Sequence, residues 1–248
     1  MLNKSSLFLC AGVLLALACS PMAFAQLPPV VPSGLLGQIL AAHRLAVAPS
    51  SVRITGNVTR GAVTEPIKIT ATSKDETLVE SGSTKRVATT AASFQDKDSK
   101  VTALPTLPGF SQLDATSVFL VAQLASRPVT VAAPVPAAMP SGLGQRIRVQ
   151  SGRSELHYAK IKVRDEADLY INGEGLLAGV SRSFYESAPR FKFSQAYAFS
   201  DYKSTNGVLL PYRIEKYLKG RKIETISVTS YEFDVPVAPT LFAPGGIR

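Results

Sequence analysis

The chain has 248 residues, with 27 Lys and Arg against 18 Asp and Glu, a formal net charge of +9, two cysteines and no tryptophan. That length suits one large domain able to bury its own core, and two cysteines exclude a disulfide-stapled scaffold. No long basic run and no nucleic-acid motif accompanies the charge, so it implies either an anionic lipid surface as partner or a solvated basic face.

The chain opens with Lys4, an apolar run over residues 7–17, and the A-x-A site Ala23-Phe24-Ala25 before Gln26. This is the layout of a secretory signal peptide covering residues 1–25, and cleavage between Ala25 and Gln26 would remove both Cys10 and Cys19. A lipoprotein box wants an apolar residue, usually Leu, three places before its lipidated cysteine. Here that place holds Ala16 and Leu17 is one out of register, so a lipid anchor at Cys19 is the alternative to its removal. Export to the periplasm or outer envelope follows, and the rest of the chain has no apolar run long enough for a membrane helix.

Residues 26–34, with Pro28, Pro29 and Pro32, read as an extended tether, leaving 35–248 as a single domain. Leu35, Leu36, Ile39, Leu40, His43 and Leu45 recur at helical spacing and predict an amphipathic helix over 34–47, ended by Pro49. Alternation then predicts strands at 52–59 and 67–72, with weaker ones at 77–79 and 86–90 around Ser81-Gly82-Ser83. Residues 95–100 read as a polar loop and 104–110, with Pro105 and Pro108, as irregular. A second helix over 111–126 is apolar on most of its circumference and therefore buried. Residues 129–140 are either a linker-like loop or an extended edge.

The second half is more regular. Residues 146–150 and 160–164 alternate strictly, one face apolar and the other carrying Arg146 and Arg148, or Lys160, Lys162 and Arg164: a basic surface that could meet an anionic membrane. Strands at 169–171 and 176–185 flank the turn Asn172-Gly173-Glu174-Gly175; 191–202 is a further strand; 209–219 and 222–233 flank Gly220. Strands at this spacing predict a mainly β fold, an antiparallel sheet curling toward a barrel or sandwich, with a few helices.

Little points to catalysis. His43 and His157 have no acidic or cysteine partner at ligand spacing, and their ordinary role is a surface or partly buried imidazole. Asp96-Lys97-Asp98-Ser99 lacks the glycine and bidentate glutamate of a calcium loop. Residues 165–168 are acidic but adjoin basic side chains, and no nucleophile elbow, P-loop or dinucleotide fingerprint occurs. No cofactor, metal or nucleic acid is expected. The aromatic side chains crowding the final third suit a β core, or an apolar cavity within a curved sheet.

The stretch 197–214, with Tyr197, Ser200-Asp201-Tyr202, Asn206-Gly207 and Pro211-Tyr212, followed by 224–233 and Leu241-Phe242, resembles the C-terminal sheet of the outer-membrane lipoprotein carrier (LolA-like) group of exported bacterial proteins. The resemblance implies an incomplete antiparallel barrel wrapped around one or two helices, with an apolar cavity for lipid or lipoprotein acyl groups. Cavity-lining candidates are Leu113, Phe119, Leu120, Leu124, Ile147, Val149, Phe184, Phe191, Phe193, Ile214 and Phe233. The expected function is that of a non-enzymatic envelope carrier of a lipid or acylated protein. The alternatives are an interaction module without ligand and, third, a hydrolase.

Overall fold

The computed structural model describes residues 34–89, 93–98, 100–104, 116–139, 142–151, 156–158, 161–163, 166–185 and 192–243. The leader, the cleavage residues Ala25 and Gln26, the tether up to Ser33 and the Pro105–Pro108 region lie outside these residues.

The first helix, α1, is Leu35–Ala42, and a meander of six strands follows: β1 (Ser51–Arg60), β2 (Val63–Thr72), β3 (Thr77–Ser81), β4 (Thr84–Ala88), β5 (Ser93–Lys97) and β6 (Lys100–Leu104). The second helix, α2 (Val118–Ala125), leads to β7 (Val129–Val131), β8 (Val135–Met139), β9 (Gly142–Ser151) and the short strands β10 (Leu156–Tyr158) and β11 (Ile161–Val163). The C-terminal meander is β12 (Glu166–Ile171), β13 (Leu177–Tyr185), β14 (Lys192–Thr205), β15 (Val208–Leu218) and β16 (Arg221–Phe233). Among the described residues fourteen strands form one sheet in the order β6-β5-β4-β3-β2-β1-β16-β15-β14-β13-β12-β9-β7, with β8 also on β9 and every pairing antiparallel. The path has two ends and does not close on itself, so the incomplete barrel expected from the sequence is the fold of the chain.

Several local expectations change. The second helix, expected over 111–126, begins only at Val118, after Ser117 at φ 48°, and residues 111–115 lie outside the described residues. The first helix stops at Ala42 because Arg44 turns into the left-handed region at φ 58°, well before Pro49. Residues 95–97 and Lys100 are strand and not loop: Ser93-Phe94-Gln95-Asp96-Lys97 and Lys100-Val101-Thr102-Ala103-Leu104 pair as a hairpin at the margin of the sheet. Residues 129–131 and 135–139 are extended and lie on β9, so of the two readings of this stretch the extended edge holds for them. The strand at 161–163 pairs with β10 in a separate two-stranded ribbon instead of joining the large sheet. The remaining strand expectations stand, and Pro211 sits two residues beyond the end of the β15–β16 ladder, where its missing N–H removes no bond from that pairing.

Alternation places most of the apolar strand residues on the concave face. Val52, Ile54 and Val58 of β1, Ile67 and Ile69 of β2, Ile147 and Val149 of β9, Leu169 of β12, Ile214 of β15 and Ile226 of β16 are all buried there in one cluster with both helices. A smaller cluster on the other face joins Leu78 of β3, Val87 of β4 and Phe242, carried on the short 3-10 helix Pro239–Phe242. The middle strand, β16, carries two irregularities. Thr229 is extra against β1, at the step between Thr55 and Gly56, and Ile223 is extra against β15. Such bulges bend the strand that bears them and sharpen the local twist. The sheet can tighten here because Gly56 has no Cβ; one would fall 2.3 Å from the Ser227 carbonyl oxygen.

Candidate functional site

The two helices occupy the hollow of the sheet. In α2, Val118, Phe119, Leu120, Val121, Ala122, Gln123 and Leu124 are all buried, as its nearly unbroken apolar sequence requires. Arg127, just past its end, pairs with Asp75 in the β2–β3 turn and donates to Gln123 Oε1 at 3.2 Å.

The other helix, α1, buries only one side, Leu36, Gly37, Ile39 and Leu40. Its C-terminus is fastened by His43, which is completely buried. The Leu177 N–H donates to His43 Nε2 at 2.9 Å, so Nδ1 carries the proton and donates to the Leu209 carbonyl at 2.7 Å. The Leu209 N–H in turn donates to the His43 carbonyl at 2.9 Å. One residue thereby ties α1 to both β13 and β15. Burial holds the imidazole below its ordinary pKa, and the bond to Leu209 only partly opposes this, so the ring is neutral. Tyr202 packs against it, ring centres 5.6 Å apart, and donates its hydroxyl to the Leu177 carbonyl. Tyr202 reaches this position because Asp201, at φ 55°, interrupts the alternation that buries Tyr197 and Phe199.

Between α1 and the sheet margin lies a cleft of about 410 Å³, lined by Leu35, Gln38 and Ile39 of α1, Gly144, Gln145 and Ile147 of β9, Ile171 of β12, and Asn172, Gly173 and Gly175 of the next turn. Its floor is aliphatic and its rim is amide. Asn172 Oδ1 stiffens the rim by accepting the Glu174 and Leu176 N–H groups at 3.0 and 2.9 Å. Gly175, at φ 82°, brings the turn against α1; a Cβ there would meet Ala42 Cβ at 3.2 Å. A second, apolar crevice of about 10 Å³ lies where Phe119, Val208, Tyr231 and Phe233 meet, room for about one water.

The cavity candidates separate accordingly. Phe119, Leu120, Leu124, Ile147, Val149 and Ile214 are brought together as closed core, with Phe233 packed against it. Of these only Ile147 reaches the cleft, and only Phe119 and Phe233 the crevice. Phe184 and Phe193 are opposed in the β13–β14 register, while Leu113 and Phe191 lie outside the described residues. Sequence reasoning did not single out Gln38, Gly144, Gln145 or Asn172 as site residues. Their only signal is a pair of glycine-rich stretches, one ending at Gly144 and one at 173–175, that the topology sets side by side.

The basic candidates are also redistributed. Arg148 makes two bonds to Asp168, 2.8 and 2.9 Å, which raise its already high pKa, and Gln150 donates to Glu166 at 3.1 Å. The convex face of β9 and β12 is thus internally paired at Arg148, while Arg146 lies opposite Tyr170. Lys162 stands opposite His157 in the β10–β11 ribbon, and Lys160 and Arg164 fall outside the described residues. His43 is more deeply buried than the surface or partly buried imidazole expected, and both ring nitrogens are spent on backbone groups. A hollow with aliphatic floor and amide rim is suited to non-covalent binding of a largely apolar molecule.

The whole described architecture is similar to that of two solved structures. A DUF1329 family protein from Desulfovibrio piger is 10% identical, with 88% of this chain and 99% of that one covered at a TM-score of 0.55. A LolA superfamily protein from Nitrosomonas europaea is 9% identical, with 85% and 98% covered at a TM-score of 0.51. At such identities what is shared is the fold, and it is the LolA-like fold that residues 197–242 resemble. No family model matches the sequence, and no curated protein matches it.

Proposed function

We propose that this is an exported, non-enzymatic carrier of the cell envelope that binds a lipid-like or acyl-chain ligand, free or on an acylated protein, at the cleft beneath α1. The observation that carries this reading is the cleft itself: an open hollow of about 410 Å³ with Ile39, Ile147 and Ile171 at its floor, under a helix that the sheet grips at one end. Its size falls within the range of small-ligand sites. The LolA-like fold supports the same reading. Export rests on the leader, with cleavage between Ala25 and Gln26.

Detergent-free purification followed by mass spectrometry of extracted lipid tests the proposal. A lipid should co-purify, and Gln38→Trp, which fills the cleft from an exposed helix position, should lower its occupancy at least about tenfold without lowering Tm. Recovery of empty protein, or occupancy indifferent to Gln38→Trp, overturns it. Sequencing of the exported chain should begin at Gln26; a start at a lipidated Cys19 overturns the cleavage assignment. A second reading, an envelope interaction module without ligand, is favoured by the close packing of Phe119, Leu120, Leu124, Val149 and Ile214, and would return partner proteins but no lipid.

A further inference from the structure

The antiparallel order sends the β1–β2, β3–β4, β5–β6 and β15–β16 turns to one end of the half-barrel, opposite the end that holds His43. Among the described residues five large aliphatic side chains are exposed, and three of them lie beside these turns: Val63 at 64%, Ile223 at 40% and Val101 at 39%. Ile223 is the bulged residue, unmatched where the register steps from Lys216–Glu224 to Tyr217–Lys222. Counted back from the inward-facing Ile226, Ile223 falls on the outer face, where it is exposed, and the bulge bends the strand at this point. The tip is tight: Lys219 and Gly220, both at positive φ, 51° and 76°, join Leu218 to Arg221.

The charge at this end is basic. Exposed Lys97, Lys100, Lys219, Arg221 and Lys222 flank the aliphatic side chains; Asp98 is an exposed carboxylate in the same turns, while Glu65, Glu215 and Glu224 are held in ion pairs with Arg60, Arg213, Lys216 and Lys222. Lys222 is shared with Glu215 at 3.2 Å, while Arg221 and Lys100 have no ion pair among the described residues. The turns of the opposite end carry Asp75, Glu76, Glu174 and Asp234 against Lys74 and Arg44, with Arg127 paired to Asp75. The molecule is therefore charge-polarised along the strands, which orients it in an external field.

From the coincidence of exposed aliphatics, a bulge and basic charge at one end, we infer that the hairpin end docks on an anionic lipid bilayer. The aliphatic side chains enter the headgroup boundary while the cations meet lipid phosphates. Docking does not require the cleft to hold a ligand.

The test uses phosphatidylcholine vesicles with and without phosphatidylglycerol. Because the chain has no tryptophan, Ile223→Trp and Val47→Trp place single fluorophores at opposite ends. Low-salt addition of anionic vesicles should blue-shift the first and leave the second unchanged, with the shift lost as salt is raised. In co-sedimentation, Arg221→Gln with Lys100→Gln should weaken binding about thirtyfold and Val63→Ser with Ile223→Ser at least about tenfold. Lys74→Gln with Arg44→Gln, at the other end, should change it less than about twofold. Circular dichroism confirms that each variant is folded. Equal binding to neutral vesicles, equal blue shifts at both ends, equal weakening by the two charge pairs, or capture of a protein partner by these tips with no vesicle binding would each overturn the inference.

Discussion

The helices α1 and α2 share one concave face but are held by different physics. In α2 seven of eight residues are buried, so its place is fixed by packing over its whole circumference, and the Arg127–Asp75 pair only trims its C-terminal end. In α1 four of eight are buried, and the backbone bonds made by His43 at one end do much of the holding. Packing over a large area resists every displacement alike. A hydrogen-bonded fastening resists until its donor and acceptor arrangement is changed, and then fails at one point. The helix that borders the open cleft is the one fastened in the second way.

Substitutions can break or sharpen that contrast. The largest expected loss is for Leu124→Ala in α2, about 3 kcal/mol or more by urea denaturation, because a fully buried leucine leaves a hole the sheet cannot collapse into. Leu36→Ala in α1 should cost less; equal losses would erase the distinction. Next comes His43→Leu, about 2 kcal/mol, since the Leu177 N–H and Leu209 carbonyl lose their partners, with faster hydrogen exchange at the Leu177 amide as the local sign. The same residue sets a pH dependence. Its folded pKa lies below the ordinary 6.5, so its contribution is whole above pH 6.5, declines as pH falls below that value, and is lost through the lower folded pKa. His43→Leu should flatten this limb of the stability curve; a wild-type curve already flat there would contradict the neutral, buried ring. The smallest effect belongs to Arg127 and Asp75: a double-mutant cycle should give a coupling of about 1 kcal/mol, limited because the Arg127 side chain is 29% exposed.

The sequence made the fold legible wherever one face of an element is dry and the other wet. Arg146-Ile147-Arg148-Val149-Gln150 could be nothing but a half-buried strand, and the apolar girth of residues 118–125 required burial. The hairpin of β5 and β6 escaped because Gln95-Asp96-Lys97 is polar throughout, so that the burial of Ser93 and Asp96 and the packing of Phe94 on the outer cluster leave no apolar alternation across these positions. At the site, His43 was visible as a residue but not as a fastening, since its partners are backbone atoms 134 and 166 positions away, and backbone atoms leave no mark in side-chain spacing. The cleft was hidden for a related reason. Leu35 and Ile39 looked like ordinary helix-face residues, and only the strand order brings Gly144 and Gly173 opposite them.

Strand β16 sits in the middle of the sheet and is the last strand in the chain. Arg60 on β1 meets Glu224 on β16 across 164 positions. A ribosome takes roughly 8 to 33 s to cover that distance at ordinary speeds of about 5–20 residues per second. Throughout that interval β1, with Val52, Ile54 and Val58 on one side, has an unsatisfied edge facing whatever is near. Synthesis thus runs from the centre of the sheet out to one margin, β6, and then from the other margin, β7, back to the centre: the first and last strands made are the two that meet at the seam.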